Sequence, residues 1–446
     1  MPSPGKVVTR SDSSSPSRVS RRGFLTTGAS SVVGLSAFGC DTRSTVQDKL
    51  PYPALSQPQG PEDESWAHVR QQFIPEPGMA YMNNASLGMP PAVVVEAVAA
   101  GYKLVSRDPI RGRSGLQKAV DSRVLPSLAN FFGATPGEFS LTRNATEALH
   151  LQVMGSNLNA GDEVLISSQE HPAGRNPWLL RVERNGIEVT EVFVSSPFED
   201  ARDVVESFER AITPRTRAIA FCHVTRGGHL YPVKQLVDMA RAHGLISLVD
   251  GAQAVGMFPI DLDDLGCDAY SASLHKWMLG PIGTGFLYVR EGAREKIRST
   301  FSFNATPSNP ALAPPGTADL PVRAALESAL NFVEQLGVEN VERRTRFLSD
   351  YLKSQLGTLP GVHLLSGPTS DTCCPGSTIF EIEGVDAMAL VPIVDEEHAI
   401  HIDEHQRDGH NAIRVSTHVY NTTAEIERLM AALEDAAEKG VPRVSA

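Results

Sequence analysis

Residues Asp268 to Val289 read DAYSASLHKWMLGPIGTGFLYV. A short alternating segment leads to Lys276, and a glycine-rich run then feeds the apolar strand Gly285–Val289. Ser273 and His275, just before the lysine, can donate hydrogen bonds to an anion; Gly280, Gly283 and Gly285, just after it, admit backbone where a Cβ would clash. A lysine partly withdrawn from water has a lowered pKa and, as the free amine, condenses with a carbonyl to form an imine. Lys276 is thus a candidate covalent catalyst, with a surface lysine beside a turn as the alternative. The rest of the chain weighs between the two.

The chain has 446 residues, 41% of them apolar, which suits two globular domains with a sizeable core. Its formal net charge is −12, and residues 1–39 hold five basic residues against one acid, so the remainder is more acidic still. Such a surface repels phosphate backbones and argues against nucleic acid as a partner.

Ser20-Arg21-Arg22-Gly23-Phe24-Leu25 precedes a run of small and apolar residues, Thr26 to Gly39, too short to span a bilayer as a permanent helix. This resembles a twin-arginine export signal; a disordered basic tail is the other reading. The resemblance implies passage through the twin-arginine export machinery to the periplasm. Cys40 either begins a lipid-anchored mature chain or is removed from a soluble one. Export in the folded state suits a protein that captures a cofactor before it leaves the cytoplasm. The expected divisions are a signal over 1–40, a linker over 41–62, a large domain over 63–316 and a small domain over 317–446. Cys222 and Cys267 sit in apolar segments and read as buried thiols, Cys373 and Cys374 are adjacent and poorly placed for a bridge, and no spacing suits a metal.

Apolar runs at Glu163–Ser167, Glu188–Val194, Ala218–His223, Ile246–Asp250 and Gly285–Val289 alternate with helical spacing at Thr146–Ser156, Pro197–Ile212 and Val233–His243. Helical spacing also covers Ala92–Leu104 and Ala119–Phe132. This order predicts an α/β fold, a mainly parallel sheet with helices on both faces, whose ligands gather at the carboxyl ends of the strands. After about Thr317 the pattern is a smaller α/β domain, with a last helix over Ala424–Lys439 opened by a Thr422/Glu425 capping box.

Candidate residues fall at the predicted strand ends. Asp250 closes one strand, Asn144-Ala145-Thr146-Glu147 opens a helix, and His171 follows another strand. Each has a plain structural reading too: a turn residue, an N-cap, a loop cap. Arg111, Arg113 and Arg175 serve either as substrate contacts or as salt-bridge partners.

Taken together and in this order, DGAQAVGMFPIDL, SASLHKWMLGPIGTGFLYV and IRVSTHVYNTTAEI resemble the class V aminotransferase family of pyridoxal-phosphate enzymes, which includes cysteine desulfurases and isopenicillin N epimerase-like proteins. The resemblance spans about Tyr81 to Ala436 and implies the aspartate aminotransferase-like fold, fold type I. It implies that Lys276 carries the cofactor as a Schiff base, that Asp250 pairs with the pyridine nitrogen, that Gln253 bonds the phenolic oxygen and that His171 stacks on the ring. Ala145, Thr146, Ser273 and His275 would take the phosphate, with Thr317 supplied by the second subunit of a homodimer. Arg414 matches the clamp for a substrate α-carboxylate, and Asn84 a second substrate contact.

The reaction is less defined. Cysteine desulfurases of this family place a cysteine shortly before the carboxylate-binding arginine, and His401 to Arg414 contains none, which disfavours sulfur transfer. The turn expected at Ile402-Asp403-Glu404 is acidic and suits either a basic substrate tail or an exposed position. Aminotransferase or epimerase-like action on an amino acid is the first expectation and a β-lyase of C–S type the alternative. A non-catalytic periplasmic binding protein is a third reading, and a dinucleotide site is rejected because Gly280, Gly283 and Gly285 lead into a strand.

Overall fold

A computed structural model describes residues 54–301, 312 and 316–439. The twin-arginine segment and Cys40 lie outside the described residues, as does most of the linker. The strands of the first part are β1 (Ala80–Tyr81), β2 (Phe139–Thr142), β3 (Glu163–Ser167), β4 (Glu188–Val192), β5 (Thr216–Cys222), β6 (Ile246–Asp250), β7 (Ala269–Ser273) and β8 (Gly285–Val289). Those of the second are β9 (Val362–Leu364), β10 (Ser377–Ile382), β11 (Ile400–His401), β12 (Asp403–Arg407) and β13 (His410–Ser416).

Seven strands form the large sheet in the order β2-β8-β7-β6-β5-β3-β4. The pairings β4–β3–β5–β6–β7 are parallel, and β8 runs antiparallel to both its neighbours. Every residue of β3, β6, β7 and β8 is buried, as expected of strands covered by helices on both faces. Helices Ala145–Gly155, Pro172–Asn185, Ala201–Ala211 and Val233–Ala242 alternate with these strands. The predicted α/β architecture, a large mainly parallel sheet followed by a smaller α/β unit, is the one found. The smaller sheet is antiparallel, β12-β13-β10-β9.

Helix boundaries depart from the predicted ones where capping and proline decide them. The helix expected from Pro197 begins at Ala201, because Asp200 accepts from Arg202 N at 2.8 Å and so caps the first turn. The single helix expected over Ala119–Phe132 is a helix Pro109–Ala119, a π turn Val120–Val124 and a helix Leu125–Phe131. Pro126 has no N–H to continue the regular ladder. Helices Pro172–Asn185 and Ala387–His398 were not anticipated, and each carries an internal proline, Pro177 and Pro392, that interrupts the pattern. The acidic turn expected at Asp403 is instead the start of β12, paired with β13.

A helix Asp63–Arg70 ties the start of the described chain to its end. The Arg344 side chain, 1% exposed, pairs with Asp63 at 2.6 Å and donates to the Asn421 carbonyl at 2.6 Å. Asp63 in turn accepts from Thr423 N and Oγ1 at the head of the last helix, Thr423–Lys439, while Thr422 and Glu425 bond each other's N–H as a capping box. Removing Arg344 breaks its bond to Asp63 and leaves the Asn421 carbonyl without its donor, while Asp63, partly exposed, keeps its two bonds from Thr423. Arg344→Ala is therefore expected to cost about 1–3 kcal/mol, read as a lower denaturation midpoint in urea; an unchanged midpoint would show that the pair holds nothing.

Candidate functional site

Lys276 stands in the connection between β7 and β8. Leu274 N donates to Thr284 O at 3.0 Å and Gly280 N to Leu274 O at 2.8 Å, closing the connection into a tight loop. Gly88 N donates to His275 O at 2.8 Å, and a Cβ at Gly88 would come within 2.0 Å of the Lys276 carbonyl oxygen. Only glycine permits that approach. On the other side, Trp277 Nε1 donates to Gln253 Oε1 at 2.9 Å, and its carbonyl pairs with His418 Nε2 at 3.0 Å. The rings of Trp277, His418 and Tyr420 stack in a column with centroid spacings of 5.7 and 5.6 Å. Two of the sequence motifs, around Lys276 and around His418, thus pack directly on each other.

The lysine is half-buried. Burial pushes its pKa down to about 8, Asp250 opposes that fall, and the charges of Arg414 and Arg226 add to it. Among the described residues its Nζ has no hydrogen-bond partner, so the amine is poised between its charged and nucleophilic forms.

Asp250 ends β6, buried, and accepts from Ala252 N at 2.9 Å. Burial raises its pKa, while that bond and the Lys276 charge pull it back. His171 caps helix Pro172–Asn185, its Nδ1 accepting from Ala173 N at 3.1 Å, which leaves the proton on Nε2. The covered part of the ring, then Lys276, Arg226, Arg407 and Arg414, push its pKa down to about 4, so it is neutral at physiological pH.

The head of helix Ala145–Gly155 forms a cradle. Asn144 Oδ1 accepts from Glu147 N at 2.9 Å, and Ser273 Oγ accepts from Ala145 N at 2.9 Å. Thr146 N, in the first turn, has no acceptor within the helix, and the Ser273 hydroxyl hydrogen is still to be given. His275 Nδ1 is held by Thr284 O at 2.9 Å. Gln253 Nε2 gives one hydrogen to Ala85 O at 2.9 Å and keeps a second. Thr317 is exposed.

Arg414, on β13 with its side chain 3% exposed, donates to Ser86 Oγ at 2.9 Å and to Asp403 Oδ2 through the same nitrogen, while its Nε is buried without a partner. Asn84 Oδ1 accepts from Tyr420 at 2.9 Å, and its Nδ2 is likewise buried and unpaired. The acids that could have met a basic substrate tail are already engaged: Asp403 by Arg414 and Arg226, Glu404 by Arg226 at 3.1 Å. Arg111 and Arg175 are surface partners of Asp108 and Glu191.

These residues fit pyridoxal phosphate: an anion cradle with free donors, a buried carboxylate at a strand end, and an amine of lowered pKa between them. The family described as "Aminotransferase class-V" matches residues 80–429. The chain belongs to that family. It is a pyridoxal-phosphate-dependent enzyme of fold type I that acts on an amino acid through a Schiff base. It is 30% identical over 393 residues to "Isopenicillin N epimerase" of Amycolatopsis lactamdurans, covering 83% of this chain and 98% of that one. It is 28% identical over 401 residues to a "Probable cysteine desulfurase" of Synechocystis, covering 82% and 94%. A solved structure of the cystine C-S lyase C-DES with its product cysteine persulfide superposes with a TM-score of 0.74 at 25% identity, over 80% of this chain and 98% of that one.

Sequence reasoning passed over Arg226 and Glu170. Arg226 lies four residues past the end of β5, at the carboxyl edge of the sheet, and that position was the available signal. Glu170 precedes His171 and was overlooked because one buried acid has no pattern of its own. In the cofactor-free protein, the Lys276 amine is expected to react with an acylating reagent with a midpoint near pH 8, followed by mass spectrometry. Because Asp250 raises the lysine's pKa, Asp250→Asn should shift that midpoint lower; a midpoint at the ordinary lysine value would contradict the burial described.

Proposed function

We propose that the enzyme is a β-lyase of C–S type, cleaving the Cβ–S bond of cystine or another S-substituted cysteine. The expectation of an aminotransferase or epimerase takes second place. What carries the choice is the placement of the thiols: Cys222, Cys267, Cys373 and Cys374 are all buried and unbridged. Burial raises the pKa of Cys267 to about 12 and of Cys374 to about 11. A desulfurase must hand sulfur to an accessible thiolate, and none of these offers one; an elimination needs no acceptor thiol. The likeness to a cystine C-S lyase and to cysteine desulfurases supports a sulfur-bearing substrate.

In this reading Lys276 would hold the cofactor, Asp250 would serve the pyridine nitrogen, His171 would cover the ring and Gln253 would give its second hydrogen to the phenolic oxygen. Thr146, Ser273 and His275, beside Ala145, receive the phosphate, joined by the partner subunit's Thr317 in a homodimer. When bound, pyridoxal phosphate supplies an electron-accepting ring that acidifies the substrate's Cα–H. Arg414 would orient the α-carboxylate through its guanidinium, and Asn84 would give a further donor. Lys276, as a free amine once substrate is bound, would take the Cα proton onto Nζ. The Cβ–S bond then breaks with its electron pair leaving on sulfur, which receives a proton, and Lys276 is the nearest carrier of one. The Lys276 amine, having given up its proton, would then take the product's place, and the freed three-carbon enamine would be hydrolysed by water to pyruvate and ammonia. Neutral His171 removes no proton from this traffic, since its pKa of about 4 keeps it unprotonated. The resemblance of residues 20–39 to a twin-arginine signal would put this chemistry in the periplasm.

Purified protein loaded with pyridoxal phosphate is expected to turn L-cystine into pyruvate, ammonia and a persulfide without an added keto acid. Lys276→Ala should reduce the rate by at least about a thousandfold. Because the chain is 30% identical to an epimerase, the same assay run in deuterium oxide tests the second reading. Solvent deuterium at Cα with the opposite enantiomer and no pyruvate would replace the lyase by an epimerase, and a strict requirement for a keto acid would replace it by an aminotransferase.

A further inference from the structure

Glu170, one residue before His171, has no part in the chemistry above. Its carboxyl is buried, and Oε1 accepts from the Cys222 backbone N–H at 2.9 Å and from the Cys222 thiol at 3.3 Å. Cys222 stands opposite Asp250 in the β5–β6 register. An oxygen of Glu170, the Cys222 sulfur and an oxygen of Asp250 therefore all lie within 4.8 Å of one another. Gly174, in the first turn of helix Pro172–Asn185, leaves room for both acids: a Cβ there would sit 2.9 Å from Glu170 Oε2 and 3.8 Å from Asp250 Oδ2. The packing is built around two carboxyls.

Burial, Glu170 and Asp250 hold the Cys222 thiol well above its usual pKa, so it stays a hydrogen donor to Glu170. Among the described residues no cation neutralises the Glu170 carboxyl by contact. Arg407 spends its guanidinium on the peptide carbonyls of Gln169 and Glu170, at 2.7 and 2.6 Å.

Two carboxylates this close and this dry cannot both ionise cheaply, and their environments decide which keeps the proton. Asp250 has the Ala252 N–H and the Lys276 charge in its favour. Glu170 has burial and then Asp250 against its charge, and its pKa is pushed up to about 8 despite the Cys222 bonds and Arg407. We propose that Glu170 is a positioning residue that holds the proton of this buried pair, so that the pair's negative charge stays on Asp250. Its use by the cofactor rests on the reading of Asp250 given above; the location of the proton does not.

The test uses the holoenzyme and its Glu170→Gln and Glu170→Ala variants. Glutamine copies the neutral acid, so E170Q is expected to bind pyridoxal phosphate within about threefold of the parent in a fluorescence titration, and E170A about tenfold more weakly. The second readout is melting temperature against pH. Glu170's folded pKa, about 8, lies above its ordinary value of 4.5, so the stability it contributes is complete below about 4.5 and is lost as pH rises through about 8. The groups facing it, Asp250, Cys222, Tyr231 and Arg407, are common to parent and E170Q. The parent should therefore lose melting temperature relative to E170Q across that window. If E170Q binds the cofactor as weakly as E170A, or if the two melting curves run parallel from pH 4.5 to 8, Glu170 is not the proton holder and the proposal fails. Asp250→Asn separates the underlying assignment: parent-like cofactor affinity in that variant would sink the role of Asp250, while the melting curves still locate the proton.

Discussion

The desolvation of Lys276 beside the Asp250 carboxylate is the constraint on which the rest of the site depends. Burial drives the lysine toward its neutral, nucleophilic form and the nearby carboxylate restrains it, leaving a pKa of about 8. Neither effect exists in an unfolded chain. Both need β6 and β7 side by side, with Asp250 ending one strand and Lys276 following the other within three residues. The parallel pairing supplies that, because parallel strands bring all their carboxyl ends to one edge.

Around this pair the molecule spends its polar groups on one another. Asp403 and Glu404 neutralise Arg226, and Asp403 also holds Arg414; Arg407 and Asp408 fasten the β12–β13 hairpin to the loop before His171. The smaller sheet thus touches the large one at the residues that surround Lys276. Among the described residues eight buried side-chain atoms lack a partner, and Asn83 Oδ1, Asn84 Nδ2, His405 Nδ1, Arg414 Nε and Thr417 Oγ1 belong to the segments around Arg414. The buried thiols fit the same economy: they pack, and chemistry is left to the lysine.

Much of this was legible in the residue order. Strands β3, β6 and β8 stood where the apolar runs predicted, because strands buried on both faces must be apolar throughout. Helices beginning with proline or containing it were harder, since Pro177 and Pro392 break the pattern that packing then tolerates. The acidic turn became a strand because Asp403 gained a pairing partner, Arg414, from eleven residues away. Local sequence holds no record of such a partner.

By itself the sequence determined the α/β order, the lysine between an alternating segment and glycines, and the strand-ending aspartate, because each of these is a local pattern of periodicity, turn chemistry or residue type. Tertiary structure alone decided what surrounds them: Glu170 against Asp250 and Cys222, Arg226 between two acids, and Gly88 pressed on the lysine's carbonyl. Burial and charge proximity set those relations, and both are properties of residues distant in the chain that only folding brings within a few ångströms.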